Sequence, residues 1–213
     1  MKTSVKIKLI FSSIITLLPM LFGFIMWDKL PEQMPIHFGV NGEADSWTST
    51  VNAVVFLPLL LLVIHFVSIF AVRKDKRQNH KAMQITYWLV PILSLYVNAL
   101  TYSMALGYKI GEKTNIFPAI FVSILMIWIG NYMPKITPNR RLGVKLPWTL
   151  ADEDNWLATH RFGGKVFVAL GVVGLFFIFL PIDWIAFAVC AQLFGSIISV
   201  TIYSYMYHRK HSK

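Results

Sequence analysis

Six stretches of this chain are apolar enough to cross a lipid bilayer, and five of them have nearly the full length for it. They run from Leu9 to Trp27, Val51 to Val72, Ile85 to Tyr108, Ile116 to Met133, Val166 to Leu180 and Ile182 to Tyr205. A helix needs about 20 apolar residues to span ~30 Å of hydrocarbon. In that medium every backbone N–H and C=O needs an internal partner, and continuous apolar runs meet this demand as helices. The fifth run is short, and its first turn reaches back to residues 162–165. Pro181 and Asp183 leave almost no connection between the fifth and sixth runs, which predicts a tight antiparallel hairpin. The expected fold class is an all-α integral membrane protein, a bundle of six transmembrane helices. Only 14% of the 213 residues are charged, against about 25% in soluble domains. This excludes a water-soluble globule and a disordered chain. A single cysteine, Cys190, excludes an intrachain disulfide framework.

The first run begins like a signal peptide, with Lys2, Lys6 and Lys8. Its apolar core is long, and Met26, Trp27, Asp28 and Lys29 stand where a small-residue cleavage site belongs. It reads as an uncleaved span.

The formal charge of +10 has two readings, nucleic-acid binding or membrane topology, and the position of the charges decides between them. Seventeen of the 20 Lys and Arg fall in the N-terminal segment, the loop after the second span, the loop after the fourth span and the C-terminal tail. Lys29, Lys109 and Lys113 fall on the other side. Lys and Arg collect on the cytoplasmic side, so both termini are expected there. Topology therefore accounts for the charge, and no direct nucleic-acid binding is expected. The implied partner of these cations is the bilayer itself, through anionic lipids of the inner leaflet. Six of the ten acids, Asp28, Glu32, Glu43, Asp45, Glu112 and Asp183, lie on the outer side.

Two loops are longer than connection requires. In the outer loop, residues 28–50, Pro31 and Pro35 forbid helix. Ile36, Phe38 and Val40 alternate with His37 and Gly39 as in a short strand, and Asn41-Gly42 is a type I′ turn signal. Asp45 or Ser46 is placed to cap the second span. Trp47 suits the interface. His37, Glu43 and Asp45 lack a metal-ligand spacing, so no metal is expected. In the inner loop, residues 134–165, Pro134, Pro138 and Pro147 keep the first half extended or turned. The second half reads as an amphipathic helix. Thr149 with Asp152 three residues on suggests a capping box. Trp156, His160, Gly163 and Phe167 share one helix face, and Gly163-Gly164 marks a bend from the membrane surface into the fifth span. Two halves follow, 1–115 with spans one to three and 116–213 with spans four to six.

The inner loop carries Asn139-x-x-x-Gly143-x-x-x-Pro147-Trp148-Thr149-Leu150, then Trp156, then Thr159-His160-Arg161. This resembles the signature of the SdpI family, multi-spanning bacterial membrane proteins named for immunity to a secreted killing peptide. Leu30-Pro31, Pro35-Ile36-His37-Phe38 and Gly42-x-x-Asp45-x-Trp47 resemble the domain of unknown function that often precedes that signature. One departure stands out: the family usually carries arginine where this chain has Lys145, and lysine lacks the planar fork. The resemblance implies an immunity and sensing protein of the bacterial cell membrane. A secreted toxic peptide would meet the outer face at Pro35, His37, Phe38, Gly42, Asp45 and Trp47. A cytoplasmic regulator would meet the inner loop at Asn139, Gly143, Lys145, Pro147, Trp148, Thr149, Trp156, Thr159, His160 and Arg161.

Within the spans His65 is the one clearly ionisable group, with Asn98 and Gln192 polar near mid-span. Intramembrane ionisable groups mark functional sites by default. A neutral His65 hydrogen-bonded to Asn98 or Gln192 is the structural alternative, worth ~0.6 kcal/mol per bond. A small-solute or lipid transporter built on these three residues is the second functional reading. A lipid-headgroup enzyme using His160 with Asp154, or His37 with Asp45, is the third. Neither G-x-S-x-G, H-E-x-x-H nor a glycine-rich phosphate loop occurs, so no enzyme activity and no cofactor are expected.

Overall fold

The computed structural model describes residues 3–39, 43–74, 83–108 and 116–211. Among them are six helices long and apolar enough to cross a membrane: Ser4–Ile25, Asn52–Arg73, Met83–Ala105, Ile116–Lys135, Glu153–Phe179 and Ile182–His211. The protein is a multi-pass membrane protein. Asn41, Gly42, the loop cations between Asp75 and Lys81, and Lys109 to Lys113 lie outside the described residues. Contacts divide the chain into two compact units, Met1–Ala71 with Gln84–Glu112, and Val72–Met83 with Lys113–Lys213.

The first unit holds α1 (Thr3–Ile25), a hairpin of β1 (Gln33–Phe38) and β2 (Ala44–Ser49), most of α2 (Leu57–Arg73), and α3 (Met83–Ala105). Asn52–Phe56 form a π-helical turn that leads into α2. Pro58 follows after Leu57, and its missing N–H suits a wider turn before it. Pro19 and Pro91 lie inside α1 and α3. The outer loop is therefore more regular than one short strand. Asp45 and Ser46 do not cap the second span, because both belong to β2. The Ser49 hydroxyl accepts the Asn52 N–H instead, at 3.3 Å. Met34 on β1 is fully buried against Ala53, Val54 and Tyr102, which plugs the hairpin into the helices.

The second unit holds α4 (Ile116–Tyr132), the short α5 (Pro147–Ala151), α6 (Glu153–Leu175) and α7 (Ile182–His211). Leu180 and Pro181 alone separate α7 from the 3₁₀ turn that ends the fifth span, so the expected tight hairpin forms. The fifth span is longer than the sequence reading placed it. α6 starts at Glu153 and runs without interruption through Gly163 and Gly164. The helix is continuous through those glycines, and both are closely packed. A Cβ on Gly164 would sit 2.8 Å from the Gly130 carbonyl oxygen and 3.0 Å from the Pro134 ring. A Cβ on Gly130 would sit 2.9 Å from the Gly164 carbonyl oxygen. Lipid tails supply no hydrophobic drive between helices, so such backbone contact is what joins them.

Gly164→Val is expected to destabilise this unit by about 1–3 kcal/mol through overpacking. Thermal unfolding of the detergent-solubilised protein measures it; an unchanged transition would show that α4 and α6 do not depend on this contact.

Candidate functional site

The inner loop has little regular structure between the 3₁₀ turn Met133–Lys135 and α5, as its prolines require. Its backbone groups are satisfied by side chains instead. Asn139, 1% exposed, makes four bonds. Its Nδ2 donates to the carbonyls of Thr137 (2.7 Å) and Leu142 (2.9 Å). Its Oδ1 accepts the N–H groups of Arg141 and Leu142, both at 2.7 Å. Gly143 follows with φ +118°, a backbone conformation closed to most side chains. A Cβ there would also lie 2.9 Å from the Trp156 ring.

α6 closes this loop from the other side. The Trp156 indole N–H donates to the Ile136 carbonyl at 2.8 Å. His160 stacks on Trp156 with ring centroids 4.2 Å apart, one helical turn on. The Val144 N–H donates to His160 Nε2 at 3.0 Å, so Nε2 carries no proton. Nδ1 then holds the proton and donates to the Trp156 carbonyl at 2.8 Å. Both imidazole nitrogens are thus engaged, and Asp154 is not among their partners. An acid/base role for His160 has no free nitrogen to use.

The capping box expected on Thr149 and Asp152 does not form. Thr149 lies inside α5, and its hydroxyl accepts the Leu146 N–H (2.9 Å) while donating to the Val144 carbonyl (2.8 Å). Asp152 is extended and itself caps α6, accepting the Asp154 N–H at 2.9 Å. Glu153 and Asp154 occupy the first turn of α6, where the helix dipole favours them.

A third set of contacts ties the loop to α7. The Trp148 indole N–H donates to the Ser204 hydroxyl at 2.8 Å, and the ring lies against Tyr205 and His208. Ser204 in turn donates to Asn155 Oδ1 at 3.2 Å, which also accepts the Thr159 hydroxyl at 2.9 Å. Asn155 Nδ2 donates back to the Ser204 carbonyl. Asn155 and Ser204 are both fully buried. The sequence reading missed them, since neither stands out by charge or spacing. Lys145, Pro147 and Arg161 of the signature face outward and are exposed.

In the first unit His37 Nδ1 lies 2.5 Å from Asp45 Oδ1 across the hairpin, on an exposed surface. Among the described residues no group of three or more metal-ligating side chains gathers. Trp47 is exposed and pairs with Pro35; Phe38 is half-buried at the strand end.

His65 is fully buried, and its partner is neither Asn98 nor Gln192. Ser12 Oγ of α1 lies 2.8 Å from its Nε2. From there bonds pass through all three helices of the unit. Thr16 Oγ1 donates to the Ser12 carbonyl, Ser94 Oγ to the Thr16 carbonyl and Asn98 Nδ2 to the Ser94 carbonyl, at 2.9, 2.8 and 2.9 Å. His65 Nδ1 and Asn98 Oδ1 are buried without a hydrogen-bond partner. Gln192 belongs to the second unit, where it donates to the Leu170 carbonyl at 2.9 Å.

Asn139→Asp keeps the acceptor for Arg141 and Leu142 but sets a second oxygen against two carbonyls. The loop is expected to lose about 1–3 kcal/mol for each donor removed. Trypsin cleavage at Arg140 or Arg141 should quicken in the variant; equal rates would mean that the turn holds without Asn139.

Comparison with known proteins finds a match in each unit. Residues 14–62, from α1 through the hairpin into α2, match the domain of unknown function DUF1648. Residues 135–207, from the loop to the Ser204 contact on α7, match the SdpI/YfhL protein family. The Immunity protein SdpI of Bacillus subtilis (strain 168) is 28% identical over 204 residues, covering 95% of this chain and 97% of that protein. No solved structure matches the chain. With the signature loop, its clamp on α6 and α7 and the preceding domain all in place, the chain is similar to the SdpI/YfhL family over residues 135–207 and to DUF1648 over residues 14–62.

Proposed function

We propose that this protein is an integral membrane immunity protein that protects its host bacterium against a secreted antimicrobial peptide. End-to-end correspondence with an immunity protein carries the reading, since 95% of this chain and 97% of that relative align. The part is one of binding and response, with no bond made or broken. The two halves, 1–115 and 116–213, divide the work. The hairpin end faces outward and meets the peptide. The signature loop and both termini lie in the cytoplasm, because the cations of the loop belong on that side.

The loop answers through its clamp. α7 carries Ser204 near one end and Asp183 at the other, so a shift of α7 reaches Trp148 directly. Shifts of this kind, about 1–2 Å, are a common switching motion at helix interfaces. The exposed Lys145 and Arg161 then present a changed surface to a cytoplasmic regulator. His65 serves structure, as the bond between α2 and α1.

Deleting the gene should sensitise the host to at least one secreted peptide, and restoring it should protect. Trp148→Ala and His160→Ala should abolish protection with membrane insertion intact, whereas His65→Leu should keep it. Survival of the deletion strain against every peptide tried would count against immunity. Loss of protection in His65→Leu at normal expression would give that histidine a role beyond structure. For orientation, a single cysteine at Arg141 in a Cys190→Ser background should react with an impermeant maleimide only after lysis; labelling of intact cells would invert the scheme.

A further inference from the structure

Two hydrogen bonds hold α1 against α3. The Ser94 hydroxyl donates to the Thr16 carbonyl at 2.8 Å. Further along α3 the Tyr102 hydroxyl donates to the Pro19 carbonyl at 2.9 Å, and the Phe22 and Tyr102 rings lie 5.3 Å apart. Beside these contacts a cavity of about 420 Å³ runs between the two helices. Leu18, Phe22 and Met26 form its α1 wall, and Leu95, Ala99 and Leu106 its α3 wall. Their spacing puts each set on one helix face. The lining holds no charged side chain. Its one amide, Asn98, is 1% exposed and offers an occupant almost no polar surface. Leu18, Phe22 and Leu95 are 43%, 43% and 40% exposed, within helices that cross the membrane. What fills the cavity is therefore apolar and comes from the bilayer.

Length and polarity select the occupant. The α3 wall from Leu95 to Leu106 extends about 16 Å at ~1.5 Å per residue. One leaflet supplies about 15 Å of the hydrocarbon core. A membrane-spanning helix needs about twice that length. Away from the hairpin the lining stops at Leu18 and Leu95, just past the bond between Ser94 and Thr16. Toward the hairpin it gains two hydroxyl residues, Ser103 and Tyr108. Tyr108 is 69% exposed, as suits a ring that is apolar in body and wet at its tip. A path that is apolar for one leaflet and then meets hydroxyls has the profile of a lipid chain below its ester group.

We propose that this groove binds one acyl chain of a diacyl phospholipid from the leaflet on the hairpin side. The chain lies along Phe22, Leu95 and Ala99, and its ester group stands level with Ser103 and Tyr108. The site goes beyond the immunity reading and does not rest on it.

The test uses the full chain in a steroid-based detergent, which carries no acyl chain, with dipalmitoyl phosphatidylcholine added. Native mass spectrometry counts the lipid retained. Ala99→Phe sets a ring into the groove and should lower the retained fraction at least fivefold. Ile64→Phe, at a 43% exposed position of α2 outside the lining, should leave it unchanged. A short-chain phosphatidylcholine has the same headgroup and should be retained at least fivefold less. The long-chain lipid should also raise the thermal transition of the unsubstituted protein, since it binds the folded state, and raise that of Ala99→Phe less. Unfolding of each variant without lipid checks its fold. If Ala99→Phe does not fold, Ala99→Leu carries the test with a smaller side chain and should still lower retention severalfold. Equal retention by the folded Ala99 variant, or equal retention of the short-chain lipid, would overturn the proposal. An equal loss in Ile64→Phe would overturn it too, by marking the lipid as part of a general shell around the helices.

Discussion

Backbone groups without a helix or sheet to join are the constraint on which the second unit depends. Pro134, Pro138 and Pro147 deny the segment after α4 a helix, yet its Met133, Ile136 and Asn139 are buried. Each unpaired group there costs about 1–3 kcal/mol. Asn139 satisfies two carbonyls and two N–H groups, and Thr149 one of each. His160 takes the Val144 N–H and Trp156 the Ile136 carbonyl. The last two sit on the first turns of α6, so α6 has to begin well before hydrocarbon requires it. The length of that helix and the shape of the loop are one solution.

The same helix comes into close backbone contact with α4. With Gly130 and Gly164 carbonyl to Cα, α4 and α6 fix each other's height and rotation. That in turn sets where Trp156 and His160 meet the loop. A double glycine ordinarily weakens a helix by about 0.8–1.0 kcal/mol per residue. In a membrane the backbone bonds within the helix are hard to replace, and the close approach to α4 offsets the cost.

The six spans, the short turn at Pro181 and the stacking of His160 on Trp156 were legible in the sequence, because each follows from run length or from i,i+4 spacing. What escaped was decided by contacts distant along the chain. β2 reads Ala-Asp-Ser-Trp-Thr-Ser, with no apolar alternation to announce a strand, and exists because β1 pairs with it. Asp45 has good local capping chemistry, but His37 across the hairpin claimed it, and Thr149 turned back to Val144 and Leu146 instead of forward to Asp152. Ser12 lies 53 residues from His65, beyond any periodicity. Nothing local at Gly163 and Gly164 announces their close packing, which involves Met133, Gly130 and Pro134.

Burial separates the signature into two kinds of residue. Asn139, Thr149, Trp156, Thr159 and His160 are each no more than 1% exposed, so nothing outside can touch them without opening the loop. They shape the surface and do not form it. The surface consists of Arg140, Arg141, Lys145, Pro147, Leu150 and Arg161, all exposed. Lys145, where the family resemblance implies arginine, lies on this surface and outside the clamp. A lysine there keeps the positive charge but offers a point donor in place of a planar fork. The fold of the loop thus rests on its buried residues and its charge on its exposed ones.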